Sequence, residues 1–247
     1  MTNTDGLLIP EWDDLPDGIH AVTTTRLGGF SEAPYSSFNL AHHVGDDLPS
    51  VKRNRARLAD LLELPAVPQW LSQVHGIQVM RFLEPEVATL QADASYTNKP
   101  GVPLAIMTAD CLPVLIASKD GEELGAAHAG WRGLCDGVIE ALTGHFRARP
   151  DELTVWLGPA IGPEAFEVGA EVRTAFMAVD PKAELCFVEQ SNGKYLADIY
   201  GLVRQRLTRL GISSVSGGEY CTVTDKEHFF SYRRDGKTGR MATLIWR

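Results

Sequence analysis

Short apolar runs separated by turn residues recur along the chain, and many are rich in Val, Ile and Leu, which favour strands. The predicted strands are Trp70–Val74, Gln78–Phe82, Val102–Met107, Val114–Ala117, Leu124–Ala127, Leu153–Leu157, Phe229–Tyr232 and Thr243–Trp246, with a shorter strand-forming piece at Ala21–Thr25. We expect these runs to form a buried sheet.

Other segments repeat their apolar residues with the spacing of a helix. The predicted helices are Ser50–Leu64, Leu134–Phe146, Ala165–Val179 and Ala197–Leu210. Ser50 can cap the first of them, whose apolar stripe lies against a basic face. Because strands and helices do not alternate strictly, the pattern favours an α+β layered fold over a doubly wound one.

The breaker residues Pro and Gly are spread along the chain, and no repeat, low-complexity tract or long linker divides it. The composition, with 44% hydrophobic and 22% charged residues, is that of a globular protein with a sizeable core. We therefore expect a single domain over residues 1–247.

The net charge of −9 comes from 23 basic and 32 acidic residues, and it disfavours nucleic-acid polymers and anionic membrane surfaces as partners. The four cysteines are scattered, as in reduced compartments. Residues 1–16 lack the pattern of a secretory signal, and the apolar stretch Pro103–Ser118 is too short and interrupted to span a membrane. We expect a cytoplasmic monomer.

Familiar catalytic signatures are missing from the sequence. It contains no GxGxxG, GxxxxGK[ST], GxSxG or HExxH motif, and no H-x-E followed by P-C-x-x-C. These absences disfavour dinucleotide-binding enzymes, P-loop NTPases, serine hydrolases, zincins and zinc nucleobase deaminases.

Three segments place a His or Cys beside small residues at the ends of predicted strands, namely Gln73–Gly76, Thr108–Pro113 and Ala127–Gly133. Together His75, Cys111 and His128 offer one thiolate and two imidazoles, which suits a zinc ion with an open fourth position. Copper also accepts this donor set and would imply redox chemistry.

The three residues match no short metal-binding motif, so other interpretations remain open from the residues alone. A buried Cys is commonly a packing residue, and a lone His is commonly hydrogen-bonded. Alternatively, Cys111 is a nucleophile activated by His75 or His128 without a metal.

Positive charge is concentrated in Ser231–Arg240, which is either an anion site or a solvated hairpin tip. Arg26 with the following Gly28-Gly29 is either a second anion site or simply a turn. Asn39 either binds a substrate hydroxyl or caps its own loop. Cys135, Cys186 and Cys221 are interpreted as packing residues.

Six segments carry a family resemblance that covers nearly the whole chain. They are Thr23–Gly29, Gln73–Gly76, Met107–Pro113, His128–Gly133, Leu157–Pro163 and Phe230–Asp235. In them the sequence closely resembles the laccase-domain family, also called multicopper polyphenol oxidase, purine nucleoside phosphorylase of the laccase-domain type, and peptidoglycan editing factor.

The resemblance implies that His75, Cys111 and His128 bind one catalytic zinc ion. It implies an α/β/β/α layered fold around mixed sheets, similar to a group of proteins assigned as cysteine hydrolases. It also implies a phosphorylase that splits adenosine, inosine, guanosine and methylthioadenosine with phosphate, and that deaminates adenosine.

That activity requires partners and further residues. The expected partners are a small-molecule nucleoside and phosphate. We assign substrate binding to Arg26, Asn39 and Arg234. The two arginines are the candidates for phosphate, because guanidinium groups match phosphate geometry, and Asn39 is the candidate for a substrate hydroxyl. Asp110 is the candidate for the proton shuttle of the deamination.

The resemblance also leaves alternatives. One is a hydrolase that removes a misincorporated amino acid from a peptidoglycan precursor. A second is a copper polyphenol oxidase, which is weakened because laccase chemistry needs several copper ions and one His₂Cys cluster cannot hold them. A third is a binding protein whose zinc is structural and closed by a fourth protein ligand.

Overall fold

Two sheets lie face to face at the centre of the computed structural model, which describes residues 6–247. The four-stranded sheet contains, in spatial order, β1 (Leu7–Leu8), β2 (His20–Thr24), β15 (Met241–Trp246) and β7 (Leu104–Thr108), all antiparallel. The six-stranded sheet contains β14 (Ser214–Gly217), β10 (Leu153–Leu157), β8 (Leu112–Ser118), β9 (Leu124–Ala129), β6 (Ala94–Thr97) and β4 (Val79–Phe82). Its outermost pairings at both edges are parallel and the others antiparallel.

Two small sheets and the helices complete the described part of the chain. The small sheets are β3 (Leu71–Ser72) with β5 (Leu90–Gln91), and β13 (Tyr195–Ala197) between β11 (Glu167–Val168) and β12 (Phe187–Glu189). The helices are α1 (Leu48–Leu61), α2 (Trp131–Asp136), α3 (Val138–Thr143), α4 (Ala170–Val179), α5 (Ile199–Leu210) and α6 (Tyr232–Asp235), with 3₁₀ turns at Pro150–Glu152 and Pro181–Cys186. Within residues 6–247, no helix has the length and apolar character needed to cross a bilayer.

The layers follow from the alternation of side chains along the strands. In β15, Met241 and Ile245 enter the core between the sheets, whereas Leu244 faces the other way and packs in the core that holds Leu58 of α1. On the far side of the large sheet, Val114 belongs to a third core shared with α2 to α5. The order of layers is therefore α/β/β/α, which confirms the predicted α+β layered fold.

Several predicted elements are wrong in detail. The predicted helix Ala165–Val179 begins only at Ala170, because Glu167–Val168 forms β11. The first helix is capped by Asp47, which accepts from the Ser50 N–H, and not by Ser50. Phe229–Tyr232 is not a strand, because the Ser231 hydroxyl accepts a hydrogen bond from the backbone N–H of Arg234 and caps α6. The predicted helix Leu134–Phe146 begins earlier, at Trp131, and is broken by Gly137, whose φ of 104° separates α2 from α3. Such a left-handed conformation suits glycine because it has no Cβ.

Candidate metal centre

Strand register brings two of the predicted ligands to one end of the large sheet. In the antiparallel pairing of β8 with β9, Pro113 lies opposite His128. Cys111 directly precedes β8, so its thiol reaches the same sheet end as the imidazole of His128. Residues distant in sequence thus become neighbours, which explains why the site has no short sequence motif.

The third ligand, His75, lies in the loop after β3 and is held by its backbone. The carboxylate of Asp93 accepts hydrogen bonds from the N–H groups of Val74 at 3.1 Å, His75 at 2.8 Å and Gly76 at 2.7 Å. His75 adopts a φ of 63°, which a non-glycine residue rarely occupies. Asp93 therefore fixes a loop whose local conformation is unfavourable on its own.

The three side chains converge. Their ligand atoms all lie within 4.8 Å of one another, and Sγ of Cys111 is 3.8 Å from Nε2 of His75. The rings of His75 and His128 meet edge to face, with centroids 4.8 Å apart. His128 is buried, Cys111 is half-buried and His75 is exposed, so the cluster opens to solvent on the His75 side.

A carboxylate orients the buried imidazole. Oδ1 of Asp93 lies 2.8 Å from Nδ1 of His128. Burial raises the pKa of the Asp93 carboxyl, but hydrogen bonds from His128 and the Gly76 and Val74 N–H groups outweigh it and lower the pKa. An ionised carboxylate only accepts, so Nδ1 carries the proton and Nε2 is left for a ligand.

Cys111 and His128 stabilise each other's charged forms. Burial opposes the thiolate, yet the charge and hydrogen bond of His128, with the contact to His75, lower the pKa of Cys111 to about 6. Burial likewise opposes the imidazolium, but Cys111 and Asp93 raise the pKa of His128 to about 9. The thiolate is the form that binds metal ions.

The donor set fits a zinc or copper ion. One thiolate and two imidazoles match borderline and soft metals. A Cβ at Gly130 would lie 2.7 Å from Cδ2 of His75 and 3.2 Å from Sγ of Cys111, so a side chain at this position would displace the His75 ring. Within residues 6–247, no fourth His, Cys, Asp or Glu joins the group, which leaves one coordination position open as in catalytic zinc sites.

The cluster lies in the wall of a cavity of about 350 Å³, called here the first cavity. Its other lining residues are His43, Gln73, Met107, Thr108, Ala109, Tyr232 and Arg240. Gln73 is fixed because its amide nitrogen donates to the Met107 carbonyl and its oxygen accepts from the Met107 N–H, both at 2.8 Å. Arg240 donates through Nη1 to the carbonyls of Thr238 and Gly239 at 3.0 and 2.9 Å, and burial lowers its pKa.

The two arginines assigned to phosphate do not line the first cavity. Arg26 donates to the carbonyls of Ser36 at 3.0 Å and Lys226 at 3.1 Å and packs on the Phe230 ring. The guanidinium of Arg234 donates hydrogen bonds to the Asp235 carboxylate and to three backbone carbonyls. Their contacts hold loops together, and their role in anion binding stays a prediction.

Asn39 and Asp110 are engaged in the same way. The Asn39 amide donates to the Ala41 carbonyl and Asp46, and its oxygen accepts from the N–H groups of Ala41 and Arg240. The Asp110 carboxylate accepts from Thr222 Oγ1 and from the backbone N–H of Arg233, both at 2.6 Å. Neither residue lines the first cavity. Asn39 is therefore not brought to the predicted ligands, whereas Asp110 directly precedes Cys111 in the chain and its role as a proton shuttle stays a prediction.

Sequence reasoning missed several residues of the site. Asp93, His43, Tyr232 and Arg240 received no individual role, although Tyr232 and Arg240 lie in the basic segment that was singled out. The available signal for Asp93 is a lone charge between two alanines just before a strand, which indicates a buried and partnered carboxylate. Cys135 and Cys186 are buried, as expected for packing residues.

Residues 20–247 match the family model described as multi-copper polyphenol oxidoreductase laccase. The chain belongs to this laccase family. It is 53% identical to "Purine nucleoside phosphorylase YfiH" of Escherichia coli over 97% of this chain and 98% of that relative. It is 51% identical to the Haemophilus influenzae "Purine nucleoside phosphorylase" over 96% and 97% of the two chains.

Solved structures agree with this membership in the laccase family. Protein NMB0706 of Neisseria meningitidis superposes with a TM-score of 0.92 at 43% identity, covering 98% of each chain. YlmD of Geobacillus stearothermophilus superposes with a TM-score of 0.91 at 32% identity, covering 100% of this chain and 98% of that one. The family predicted from the motifs is therefore confirmed.

Proposed function

We propose that the protein is a zinc-dependent purine nucleoside phosphorylase. The observation that carries the proposal is the convergence of His75, Cys111 and His128 in the wall of the first cavity with one coordination position left open. The names of relatives at 51% and 53% identity support the same activity. Adenosine, inosine, guanosine and methylthioadenosine are the proposed substrates.

A single metal ion suits this site better than a copper cluster. Residues 6–247 contain one group of three or more metal-binding side chains, whereas laccase chemistry needs several copper ions. We infer zinc, which His75, Cys111 and His128 would hold in the manner of three-ligand catalytic sites. When bound, zinc supplies Lewis acidity that polarises an oxygen of the substrate or of water.

The first cavity is suited to a nucleoside. Its volume of about 350 Å³ lies in the range of roughly 300–1,000 Å³ that small-molecule sites occupy. Tyr232 and Met107 offer flat or apolar surface, while Gln73 and Arg240 offer polar contacts. Nε and Nη2 of Arg240 make no hydrogen bond with any residue in the described range, so they are free for a ligand.

Phosphorolysis forms a bond between a phosphate oxygen and C1′ of the ribose and breaks the bond from C1′ to the purine nitrogen. The departing purine keeps the electron pair and takes the proton of hydrogen phosphate, giving ribose 1-phosphate and free purine. Arg240 stabilises the negative charge that gathers on the purine, because its guanidinium is always charged and lines the cavity.

The same site is proposed to deaminate adenosine, with water replacing the 6-amino group to give inosine and ammonia. The proposed partners are thus a nucleoside and phosphate and not a nucleic-acid polymer, in keeping with the net charge of −9. The cytoplasmic location and monomeric state stay predictions.

The test is phosphate-dependent turnover by the zinc-loaded protein. Inosine and adenosine are incubated with and without phosphate, and purine, ribose 1-phosphate and inosine are separated chromatographically. We expect purine release that requires phosphate and that falls by at least about 100-fold in Cys111→Ala, since activity falls with loss of the metal. The matched control is Cys221→Ala, another half-buried free cysteine.

Two results would contradict the proposal. One is the absence of phosphate-dependent purine release by zinc-loaded wild-type protein. The other is equal turnover by Cys111→Ala and the Cys221→Ala control. Oxidation of a phenol by copper-loaded protein, without nucleoside turnover, would favour the oxidase alternative instead.

A further inference from the structure

A second cavity of about 270 Å³ adjoins the first one. The two share Ala109, Cys111 and Tyr232 as lining residues, so the half-buried thiol and the exposed phenol ring form their common wall. The remaining lining residues of the second cavity are Asp110, Trp131, Arg132, Ile161, Phe166, Ile199 and Arg233. Two of these are arginines.

Arg132 presents an unused guanidinium to this cavity. Its side chain is exposed and packs over the Trp131 ring, with Cζ 4.5 Å from the centroid. It makes no hydrogen bond or ion pair with any residue between 6 and 247. All its N–H groups are thus available, and stacking on Trp131 restricts the side chain before a ligand arrives.

Arg233 is the second cation and is better anchored. Nη1 donates to the Glu167 carbonyl at 2.9 Å, and Cζ lies 5.7 Å from the Phe166 ring centroid. Its Nε and Nη2 groups have no hydrogen-bond partner among the described residues. One edge of the guanidinium therefore stays free.

The acidic groups near these arginines are occupied elsewhere. Asp110 is bound by Thr222 and by the backbone N–H of Arg233. The Glu167 carboxylate binds Nζ of Lys194 at 2.6 Å and the Asn192 amide at 3.2 Å. Neither carboxylate forms an ion pair with Arg132 or Arg233. The second cavity is therefore lined by two guanidinium groups and by one carboxylate, that of Asp110, whose oxygens already accept two hydrogen bonds.

We propose that the second cavity is the phosphate subsite, in which Arg132 and Arg233 bind the inorganic phosphate that attacks the nucleoside. The inference rests on the proposed function. In a substitution at C1′ the incoming phosphate and the departing purine occupy opposite sides of the carbon. Two cavities that meet at Cys111 and Tyr232 provide those two sides, with the purine in the first cavity and the ribose at the shared wall.

The chemistry of the walls supports this division. The second cavity is smaller than the first. The guanidinium groups of its two arginines can each donate a pair of hydrogen bonds to phosphate oxygens. The product ribose 1-phosphate carries the same anion, so it must occupy the same subsite in the reverse reaction. Arg132 should therefore contribute to the binding of phosphate in the forward reaction and of ribose 1-phosphate in the reverse reaction.

The kinetic test compares Arg132→Gln with the wild-type enzyme in both directions. We expect KM for phosphate and for ribose 1-phosphate to rise about tenfold, which corresponds to about 1.4 kcal/mol. KM for inosine and for hypoxanthine stays within about twofold, and Arg132→Lys recovers part of the loss. The matched control is Arg53→Gln, another exposed arginine stacked on an aromatic ring, Phe30, that lines neither cavity.

A binding measurement separates this inference from the proposed function. Phosphorus NMR follows inorganic phosphate titrated with zinc-loaded wild-type protein, Arg132→Gln and Arg53→Gln, without nucleoside. Weaker phosphate binding by Arg132→Gln alone supports the subsite even if the protein proves not to be a phosphorylase. Equal phosphate binding by all three proteins, or a rise in KM for inosine as large as that for phosphate, overturns it.

Discussion

Oδ1 of Asp93 lies 2.8 Å from Nδ1 of His128, and the same carboxylate binds the backbone N–H groups of Val74, His75 and Gly76. One side chain thus orients His128 through its ring and His75 through its backbone. This couples a ligand at a strand end to a ligand in a loop. Asp93 is therefore a positioning residue of the candidate metal centre.

Replacing this carboxylate by an amide should weaken metal binding without unfolding the protein. In Asp93→Asn the charge that orients His128 is lost, and such partners are worth about 10–100-fold in metal affinity. Competition with a coloured chelator measures the zinc affinity. The control is Asp225→Asn, since Asp225 contacts His228 at 2.9 Å outside both cavities. Equal zinc affinity in Asp93→Asn and wild type would contradict the assignment.

A second prediction concerns Gly130, the N-cap of α2, which lies next to the predicted ligands. The new Cβ of Gly130→Ala would approach Cδ2 of His75 to 2.7 Å. His75 is exposed and can move, so we expect a folded protein that binds zinc at least about tenfold more weakly. Its melting temperature without metal should stay close to that of the wild type, because the φ of −65° at Gly130 suits alanine.

The control for this prediction is Gly144→Ala. At that position a Cβ would meet only the carbonyl oxygens of Glu140 at 3.4 Å and Ala141 at 3.5 Å, so zinc affinity should not change. If Gly130→Ala binds zinc as tightly as Gly144→Ala, the close packing of His75 against Gly130 does not constrain the metal site.

Zinc removal should change the reactivity of one cysteine. Cys111 lies in the cavity wall, so iodoacetamide should modify it in zinc-free protein and not in zinc-loaded protein. Cys135 and Cys186 are 8% and 7% exposed, and burial raises the pKa of Cys186 to about 11. These two should stay unmodified in both states.

Mass spectrometry of peptides after alkylation measures this pattern. The half-buried Cys221 should react to the same extent with and without zinc, so it is the internal control. Protection of Cys221 together with Cys111 would indicate a general tightening of the fold by zinc. Modification of Cys111 that zinc does not slow would argue against its role as a ligand.

The sequence predicts the layers of the fold and the grouping of His75, Cys111 and His128, but not the residues that surround this group. Largely apolar runs such as Leu153–Leu157 appear as strands with the predicted bounds, because both faces are buried and the one polar residue, Thr154, has hydrogen-bond partners for its hydroxyl. Phe229 and Phe230 have the same apolar character, yet they anchor a loop in the core. The apolar character of Phe229 and Phe230 predicts that their side chains are buried, but not whether their backbone pairs with a strand.

The basic segment near the carboxyl end shows the limit for the site. Arg233, Arg234 and Arg240 look equivalent in sequence, but they enter different surroundings. Arg233 lines the second cavity and Arg240 lines the first, whereas the guanidinium of Arg234 donates hydrogen bonds to backbone carbonyls. These directions depend on contacts with residues distant in sequence, such as that of the Arg233 N–H with Asp110, and local spacing does not encode such contacts.

A last prediction concerns stability at alkaline pH, through the buried phenol of Tyr96, which donates to the carboxylate of Glu123. Burial, followed by the hydrogen bond and charge of Glu123, raises the pKa of Tyr96 to about 12. Unfolded tyrosine ionises near pH 10. The contribution is therefore fully present below about pH 10 and is lost as the pH rises through about 12.

Urea unfolding between pH 8 and 12 measures this loss in wild type and in Tyr96→Phe. At pH 8 the free energy of unfolding of Tyr96→Phe should be about 1.5 kcal/mol lower than that of the wild type, because a hydrogen bond to a charged group is removed. This difference between the two proteins should shrink as the pH approaches 12. Tyr200, whose pKa burial also raises, remains in both proteins, so only the difference reports on Tyr96. A difference that stays constant from pH 8 to 12 would show that Tyr96 ionises alike in the folded and unfolded states.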